Sequence, residues 1–144
     1  MPPTTKMGYE NKVYIGTAGS TAATLVENAI DLDYDMTPSY GSTTVRGDSS
    51  TPPIETQAIT GRKGVITWKM LSDSADTVLT TILAAATAGD GIIAVRYLDV
   101  AANKGYDGDC VISAKESAPL NGESTWEITA TPARGYGRTP SIWV

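Results

Sequence analysis

The chain has 144 residues, a net charge of −5 and no histidine. A chain of this length is expected to form one domain, and its acidic balance argues against tight binding to nucleic-acid phosphates, which depends on Lys and Arg. The absence of imidazole side chains excludes Ser–His and Cys–His catalytic relays and histidine metal sites.

The chain begins with a predicted arm and a predicted strand. Residues 1–8 are polar and proline-containing and lack the apolar core of a signal peptide, so we expect synthesis and assembly in a cytoplasm. No apolar stretch approaches the roughly 18 residues of a membrane span. Residues 9–17 combine Val, Tyr and Ile and predict a strand, and the Gly- and Ser-containing stretch 16–21 predicts a turn.

The second predicted strand, residues 25–36, carries the clearest pattern in the chain. Side chains alternate between apolar and acidic over residues 30–36, which gives one apolar face and one face with Asp31, Asp33 and Asp35. The apolar face is expected to pack on a core. A carboxylate dyad or a calcium site that also used Asp99 is disfavoured, because these sites need side chains from separate loops. A solvated or lumen-facing acidic row is the favoured interpretation.

Residues 37–53 are dominated by proline, glycine and small hydroxyl side chains. This composition predicts a long projecting loop, with a short ribbon near residues 42–46, and disorder is the alternative. The loop contains Arg46, Gly47 and Asp48, which spell a cell-adhesion tripeptide. We interpret the match as chance, since the same three residues are ordinary turn formers.

One helix is predicted, at about residues 72–88. Ser72, Asp73 and Ser74 are N-cap candidates, and Asp76 adds negative charge to the first turn. Gly89 can end the helix. An apolar stripe predicts that the helix packs on the core, and it comprises Val78, Leu79, Ile82, Leu83 and Ala86.

The remaining predicted elements are strands. They cover residues 54–71, 92–100, 108–117 and 123–132, with a hairpin signal at Asn121 and Gly122. The single cysteine, Cys110, lies in a strand-like run and is predicted to be a small buried side chain. Residues 133–144 form a glycine-rich arm that ends in apolar residues and is expected to dock on its own domain or on a neighbour. The predicted fold is mainly β, an antiparallel β-sandwich or barrel with one packed helix.

Several segments, taken in order, resemble the tail tube (major tail) proteins of long-tailed bacteriophages. The segments are residues 13–21, 28–32, 42–47, 66–70, 74–76 with the following helix, 89–92, 98–99, Glu116 with 119–122, and 126–132. A departure is Ser117 and Ala118, which separate an acid and a proline expected to be adjacent. The resemblance covers most of the chain.

The resemblance implies a non-enzymatic structural protein of the virion tail without a cofactor. Subunits would form six-membered rings that stack into a hollow tube for DNA, with other tail proteins (tape measure, tail terminator, baseplate or tip) as partners and without membrane binding. The long loop would reach the adjacent ring. The arms would join subunits, and passing DNA would be contacted only transiently.

The expected site residues fall into three groups. Candidate lumen-facing acids are Asp31, Asp33 and Asp35, with Glu55, Glu127 and Asp99 as competitors, because a negative bore repels phosphates. The candidate ring-stacking loop comprises Ser42, Thr43, Thr44, Val45, Arg46, Gly47 and Asp48. The candidate inter-subunit tail comprises Arg134, Tyr136, Arg138 and Trp143.

Two other functions stay open at this point. A tube protein of a contractile or type VI-like injection system would share the ring architecture. A monomeric sugar- or peptide-binding β-sandwich would instead gather its Tyr and Trp side chains in a concave site.

Overall fold

The computed structural model describes residues 7–45, 54–99 and 103–143. Within these ranges the chain forms one antiparallel sheet of seven strands, which curls into a half-barrel, and one α-helix. A 3-10 turn (Gly8–Glu10) precedes the first strand. The elements are β1 (Lys12–Gly16), β2 (Thr24–Leu25), β3 (Ala29–Ser42), β4 (Gln57–Leu71), α1 (Thr77–Thr87), β5 (Ile92–Leu98), β6 (Asp107–Ser117) and β7 (Thr125–Pro132). The mainly-β antiparallel architecture predicted from the sequence is confirmed.

The strands lie in the order β2-β1-β5-β6-β7-β4-β3. The core occupies one face of this sheet, where alternate residues of the central strands are buried, among them Ile66, Trp68 and Met70. Helix α1 packs on β5 and β6 and contributes Leu79 and Ile82 to the core. Among the described residues, no helix has the length and apolar character needed to cross a membrane.

Three tyrosines and the cysteine form the polar part of the core. The ring of Tyr34 lies 4.8 Å from that of Tyr97 and 6.4 Å from that of Tyr106, measured between centroids. Cys110 is fully buried, as predicted, and donates to the Tyr106 hydroxyl at 3.3 Å. Desolvation raises the pKa of the Cys110 thiol to about 12. The cysteine is therefore a packing residue.

Helix α1 begins later than predicted. Its N-cap is Asp76, whose carboxylate accepts from the backbone N–H groups of Val78 at 3.0 Å and Leu79 at 3.3 Å. The preceding residues are held in a turn, because the Asp73 carboxylate accepts from the Ala75 N–H at 2.9 Å and Ser72 donates its N–H to Ser124. The predicted start at residue 72 is wrong for this reason.

Strand β3 continues to Ser42, six residues into the segment predicted as loop. Its partner strand β4 is one residue longer, and the two pair from Ala29↔Met70 to Ser42↔Gln57 with two register shifts. Pro38, which suggested a loop, is tolerated because β3 is the last strand of the sheet. The second shift lies beside Thr60.

The apolar face of β3 is only partly covered. Leu32 and Tyr34 pack on the core, but Ile30 and Met36 are each 52% exposed. Within this chain, the expectation that the apolar face packs on a core holds for Leu32 and Tyr34 and not for Ile30 and Met36. The exposed positions lie where β3 enters the sheet and where the β3–β4 hairpin leaves it.

The C-terminal segment docks on its own domain. Ser141 and Asp107 exchange backbone hydrogen bonds of 2.9 and 3.0 Å, which adds a bridge beside the start of β6. The hydroxyl of Tyr34 donates to the Ile142 carbonyl. The segment thereby connects the start of β6 with the base of the β3–β4 hairpin.

Arg138 holds this segment in place through charge. Its guanidinium lies 2.8 Å from a carboxylate oxygen of Asp107 and 3.4 Å from one of Asp109, and it also donates to the Ser20 carbonyl. Asp109 is fully buried and accepts from the Gly19 N–H at 3.0 and 3.2 Å. Arg138 therefore neutralises a buried carboxylate and links the tail, β6 and the turn after β1.

We expect Arg138→Ala to lower the free energy of unfolding by about 2–3 kcal/mol, because Asp109 would keep its buried charge without its cation. Urea unfolding followed by tryptophan fluorescence measures the change. Arg134→Ala, at an exposed position of the same tail, is the matched control and should change stability by less than about 0.5 kcal/mol. Equal effects of the two substitutions on the free energy of unfolding would contradict the proposed role of Arg138 in holding the tail.

Candidate assembly interface

Four strands, β3, β4, β7 and β6, present a polar face on the side of the sheet opposite the core. Asp33 pairs with Thr67, Thr67 with Thr129, and Thr129 with Ser113, so these four side chains form a row across the strands. Their neighbours along each strand are core residues such as Trp68 and Ile128, which fixes the row on the other face. We call this surface the polar face.

A second row on the polar face alternates in charge. Lys69 pairs with Glu127, and Glu127 pairs with Lys115. Asp31 lies at the first register shift of β3 and lines a shallow cavity of about 420 Å³ together with Asp33, Lys69 and Glu127. Across the sheet the order is therefore acid, base, acid, base.

The predicted acids are thus placed on this surface. Asp31, Asp33 and Asp35 are all exposed on the edge strand β3, and Glu127 is exposed on β7. Asp99 is buried and lies apart, in a backbone bridge to Lys104, and Glu55 lies exposed beyond the hairpin strands. Sequence reasoning missed Lys69 and Lys115, because their positions opposite Glu127 depend on strand pairing.

The edges of this four-stranded part are open on both sides in the described chain. Strand β3 pairs only with β4 and is the last strand of the sheet. On the other side, β5 pairs with β6 only as far as Val111, although β6 continues with β7 to Ser117. Residues 113–117 of β6, here called the β6 margin, therefore have a paired strand on one side only within the described residues.

The β3–β4 hairpin extends beyond the sheet as a two-stranded ribbon. Pairing of β4 with β7 ends at Ile66, whereas β3 and β4 stay paired to Ser42↔Gln57, a projection of roughly 25 Å. Met36, Tyr40 and Ile59 are 52%, 59% and 51% exposed. They lie on the same face of the hairpin as Tyr34 and Ile66, which pack on the core. The ribbon thus presents an apolar strip to solvent.

The candidate stacking loop lies at the end of this ribbon. Ser42 ends β3, and Thr43 continues the pairing, since its N–H donates to the Thr56 carbonyl at 3.0 Å. The Thr44 hydroxyl accepts from the Thr56 N–H at 2.9 Å, and Val45 is 63% exposed. Arg46, Gly47 and Asp48 lie outside the described residues.

The candidate inter-subunit tail residues divide into two pairs. Arg138 and Tyr136 contact their own domain. Arg138 forms ion pairs with Asp107 and Asp109, and Tyr136 forms a 2.7 Å hydrogen bond to the Asp90 carboxylate. This bond lowers the pKa of Asp90 and raises that of Tyr136. Arg134 and Trp143 are exposed. Only the second pair is free to reach another subunit without breaking a contact seen here.

The described residues contain no group of three or more Cys, Asp or Glu side chains placed to hold a metal ion. The acids of β3 follow one another along a single strand.

Comparisons with known proteins bear on the fold. Neither the family models nor the curated proteins include a match. Among solved structures, a chain of the tail of an empty gene transfer agent particle, determined with C6 symmetry, matches with a TM-score of 0.74 and 14% identity over 96% of this chain and 98% of that chain. A chain of the native gene transfer agent virion matches with a TM-score of 0.66 and 13% identity over the same shares.

A third match comes from an extracellular contractile injection system. A chain of its sheath/tube terminator in the extended state matches with a TM-score of 0.57 and 12% identity over 92% of this chain and 95% of that chain. At these identities the matches establish a common fold along nearly the whole chain. The resemblance to tail tube proteins inferred from the sequence is thereby confirmed at the level of the fold.

Proposed function

We propose that this chain is a structural subunit of a phage-like virion tail, which assembles with copies of itself into six-membered rings that stack into a hollow tube for DNA. The observation that carries the proposal is the four-stranded polar face with an open edge on each side. The fold shared with a tail that has C6 symmetry supports it. Assembly would take place in the cytoplasm of the bacterial host.

The dimensions of such a ring fit a DNA conduit. Six copies of four strands give about 24 strands, which at 4.8 Å spacing and about 40° tilt close a circle roughly 50 Å across. Side chains on the inner face take about 5 Å on each side, half of the usual distance between packed sheets. The remaining bore, roughly 40 Å wide, admits a DNA duplex.

The charge of the polar face suits passage without binding. Among the described residues of the polar face, the acids are Asp31, Asp33, Asp35 and Glu127, and the bases are Lys63, Lys69 and Lys115. Lys69 and Lys115 each pair with Glu127, which offsets their charge locally. The remaining excess of acid repels phosphates.

The second candidate is the tube of a contractile injection machine, supported by the likeness to the injection-system chain at a TM-score of 0.57. The ring proposed here would be the same, and the partner outside it would be a sheath. A sheath gene beside this one would favour the second candidate. A monomeric ligand-binding sandwich has less support, because Tyr97 and Tyr106 are buried in the core.

We expect the purified protein to form rings or tubes of uniform bore as its concentration rises. Each ring closes only when enough copies pair along their open edges, so assembly should be cooperative. Negative-stain electron microscopy and light scattering across a concentration series measure this. A protein that stays monomeric at millimolar concentration would contradict the proposed function.

The apolar strip of the ribbon should be needed for stacking and not for folding. Tyr40→Thr combined with Ile59→Thr keeps residues that favour strands but removes most of the exposed apolar area. We expect single rings in place of long tubes, at unchanged thermal stability, by electron microscopy and calorimetry. Thr37→Ser, on the opposite face of the ribbon, is the control and should leave tube length unchanged.

Reversing the charge of the polar face should make assembled tubes bind DNA. Glu127→Lys combined with Thr67→Lys, on β7 and β4 and away from both open edges, removes about six negative charges and adds about twelve positive ones per proposed ring of six copies. We expect short DNA duplexes to cosediment with the variant tubes at low salt and to be released at high salt, and not with the wild type. Lysine substitutions at Asp73 and Glu123, away from the polar face, should cause no retention.

A further inference from the structure

We infer that Asn121, in the turn between β6 and β7, deamidates spontaneously to aspartate and isoaspartate in the free subunit, and that ring stacking protects it. The reactivity follows from the chemistry and geometry of the turn alone. The protection rests on the proposed function, because it requires the tube.

The reaction has two steps and needs only water. The backbone nitrogen of Gly122 bonds to the side-chain carbonyl carbon of Asn121, the bond from that carbon to Nδ2 breaks, and the amide nitrogen leaves with the Gly122 proton as ammonia. Water then opens the five-membered imide at either carbonyl carbon, which gives aspartate or isoaspartate. Glycine hinders the first step least, because it has no Cβ atom.

The turn leaves Asn121 accessible. Strand β6 ends at Ser117 and β7 begins at Thr125, and residues 118–123 between them are all exposed. Within the described residues, the Asn121 side chain has no hydrogen-bond partner. Exposed loop tips retain the most local freedom in a fold, and closure of the imide needs that freedom.

The turn also retains the glycine. A Cβ atom on Gly122 would lie 3.0 Å from the Cγ atom of Pro119, which is tighter than ordinary van der Waals contact. Asn-Gly pairs are in addition strong formers of tight turns between strands. The same two residues that make the turn therefore carry the reaction.

The other three asparagines of the chain are not followed by glycine. Nδ2 of Asn11 donates to the Tyr97 hydroxyl at 2.8 Å. Nδ2 of Asn28 donates to the Asp76 carboxylate, also at 2.8 Å. Asn103 precedes a lysine, whose side chain hinders the attack. Asn121 is therefore the asparagine expected to react.

Two Asp-Gly pairs offer the same chemistry in a held form, since aspartate closes to the same imide with loss of water. The Asp90 carboxylate accepts from the Tyr136 hydroxyl at 2.7 Å, a bond that lowers the pKa of Asp90 and favours the ionised, less reactive form. The Asp107 carboxylate lies 2.8 Å from the Arg138 guanidinium. Side-chain contacts thus fix both pairs.

The turn lies at the end of the sheet opposite the ribbon. Strand β4 runs from Gln57 in the ribbon to Leu71, which pairs with Thr125 directly after the turn. The two ends are about 45 Å apart along the strand. Rings stacked in one orientation would bring the ribbon end of one ring to the turn end of the next, which would cover the turn and restrict closure of the imide.

The first test is peptide mass spectrometry of the free protein after incubation in mildly alkaline buffer, which promotes loss of the Gly122 amide proton. We expect the Asn121 peptide to gain the mass difference between ammonia lost and water gained. Gly122→Ala should slow this at least about tenfold, and Asn121→Gln, which would have to form a six-membered imide, should abolish it. A protein that keeps Asn121 intact while a synthetic peptide of residues 117–125 deamidates would overturn the inference.

Unfolding in urea separates the turn from the held sites. Isomerisation at Asp90 and Asp107 should become at least about tenfold faster, because their contacts are lost. Deamidation at Asn121 should change by less than about threefold, since the native turn already leaves it accessible. A tenfold acceleration at Asn121 as well would show that the native turn protects it and would overturn the inference.

The last test compares tubes, collected by sedimentation, with free subunits in the same buffer. We expect deamidation at least about fivefold slower in the tubes. Equal rates would overturn the protection by stacking and leave the reactive site and the proposed function in place. An absence of tubes, with Asn121 still reacting, would overturn the proposed function and the protection but not the reactive site.

Discussion

Backbone hydrogen bonding at the margins of the sheet is the constraint on which the rest of this structure depends. A strand with a partner on one side only leaves a row of N–H and C=O groups that require another strand or water. The edge strand β3 is fourteen residues long, about twice the length usual for strands. Such an edge is an aggregation hazard in a protein that works alone, whereas it is a joining surface in a protein that works as a ring.

The acids of β3 add specificity to that surface. Two copies of β3 brought together would oppose carboxylates to carboxylates, which disfavours pairing of the edge with itself. The acidic row thus disfavours pairing of β3 with a second β3 and gives the polar face its negative excess. Both effects follow from the alternation of Asp31, Asp33 and Asp35 along one strand.

Much of the fold could be predicted from the sequence, because the periodicity of the apolar residues that face the core is visible within each single strand or helix. Alternation within residues 65–70 puts Ile66, Trp68 and Met70 on one face of β4, which is the buried face, and the apolar stripe predicted the helix. Element ends were less predictable. Proline and glycine in residues 37–41 suggested a loop, yet the strand continues there because pairing with β4 outweighs local propensity at a sheet edge.

The candidate site was predictable only in part, for the same reason. The acids of β3 are visible in the sequence as an alternating run, but their relation to Lys69 and Lys115 is set by register between strands that are distant in the chain. The buried Asp109 was also missed, since a carboxylate in the run Asp107–Gly108–Asp109 looks exposed until Arg138 is placed beside it. The periodicity of one segment does not show which residues of a distant segment will lie opposite it in the folded chain.

The docked tail connects the two proposed assembly surfaces within one subunit. Arg138 fixes the tail to Asp107 and Asp109 at the start of β6, and a few residues later Ile142 accepts from Tyr34 at the base of the ribbon. The side chain of Ile142 also lies close to Gly64, where a Cβ atom would be 3.3 Å from its Cδ1 atom. The strand that offers the β6 margin and the ribbon that carries the apolar strip are thereby held by one segment. In the proposed tube, ring closure would use the β6 end of this connection and ring stacking would use the ribbon end, so the tail would hold the two contacts in a fixed relation.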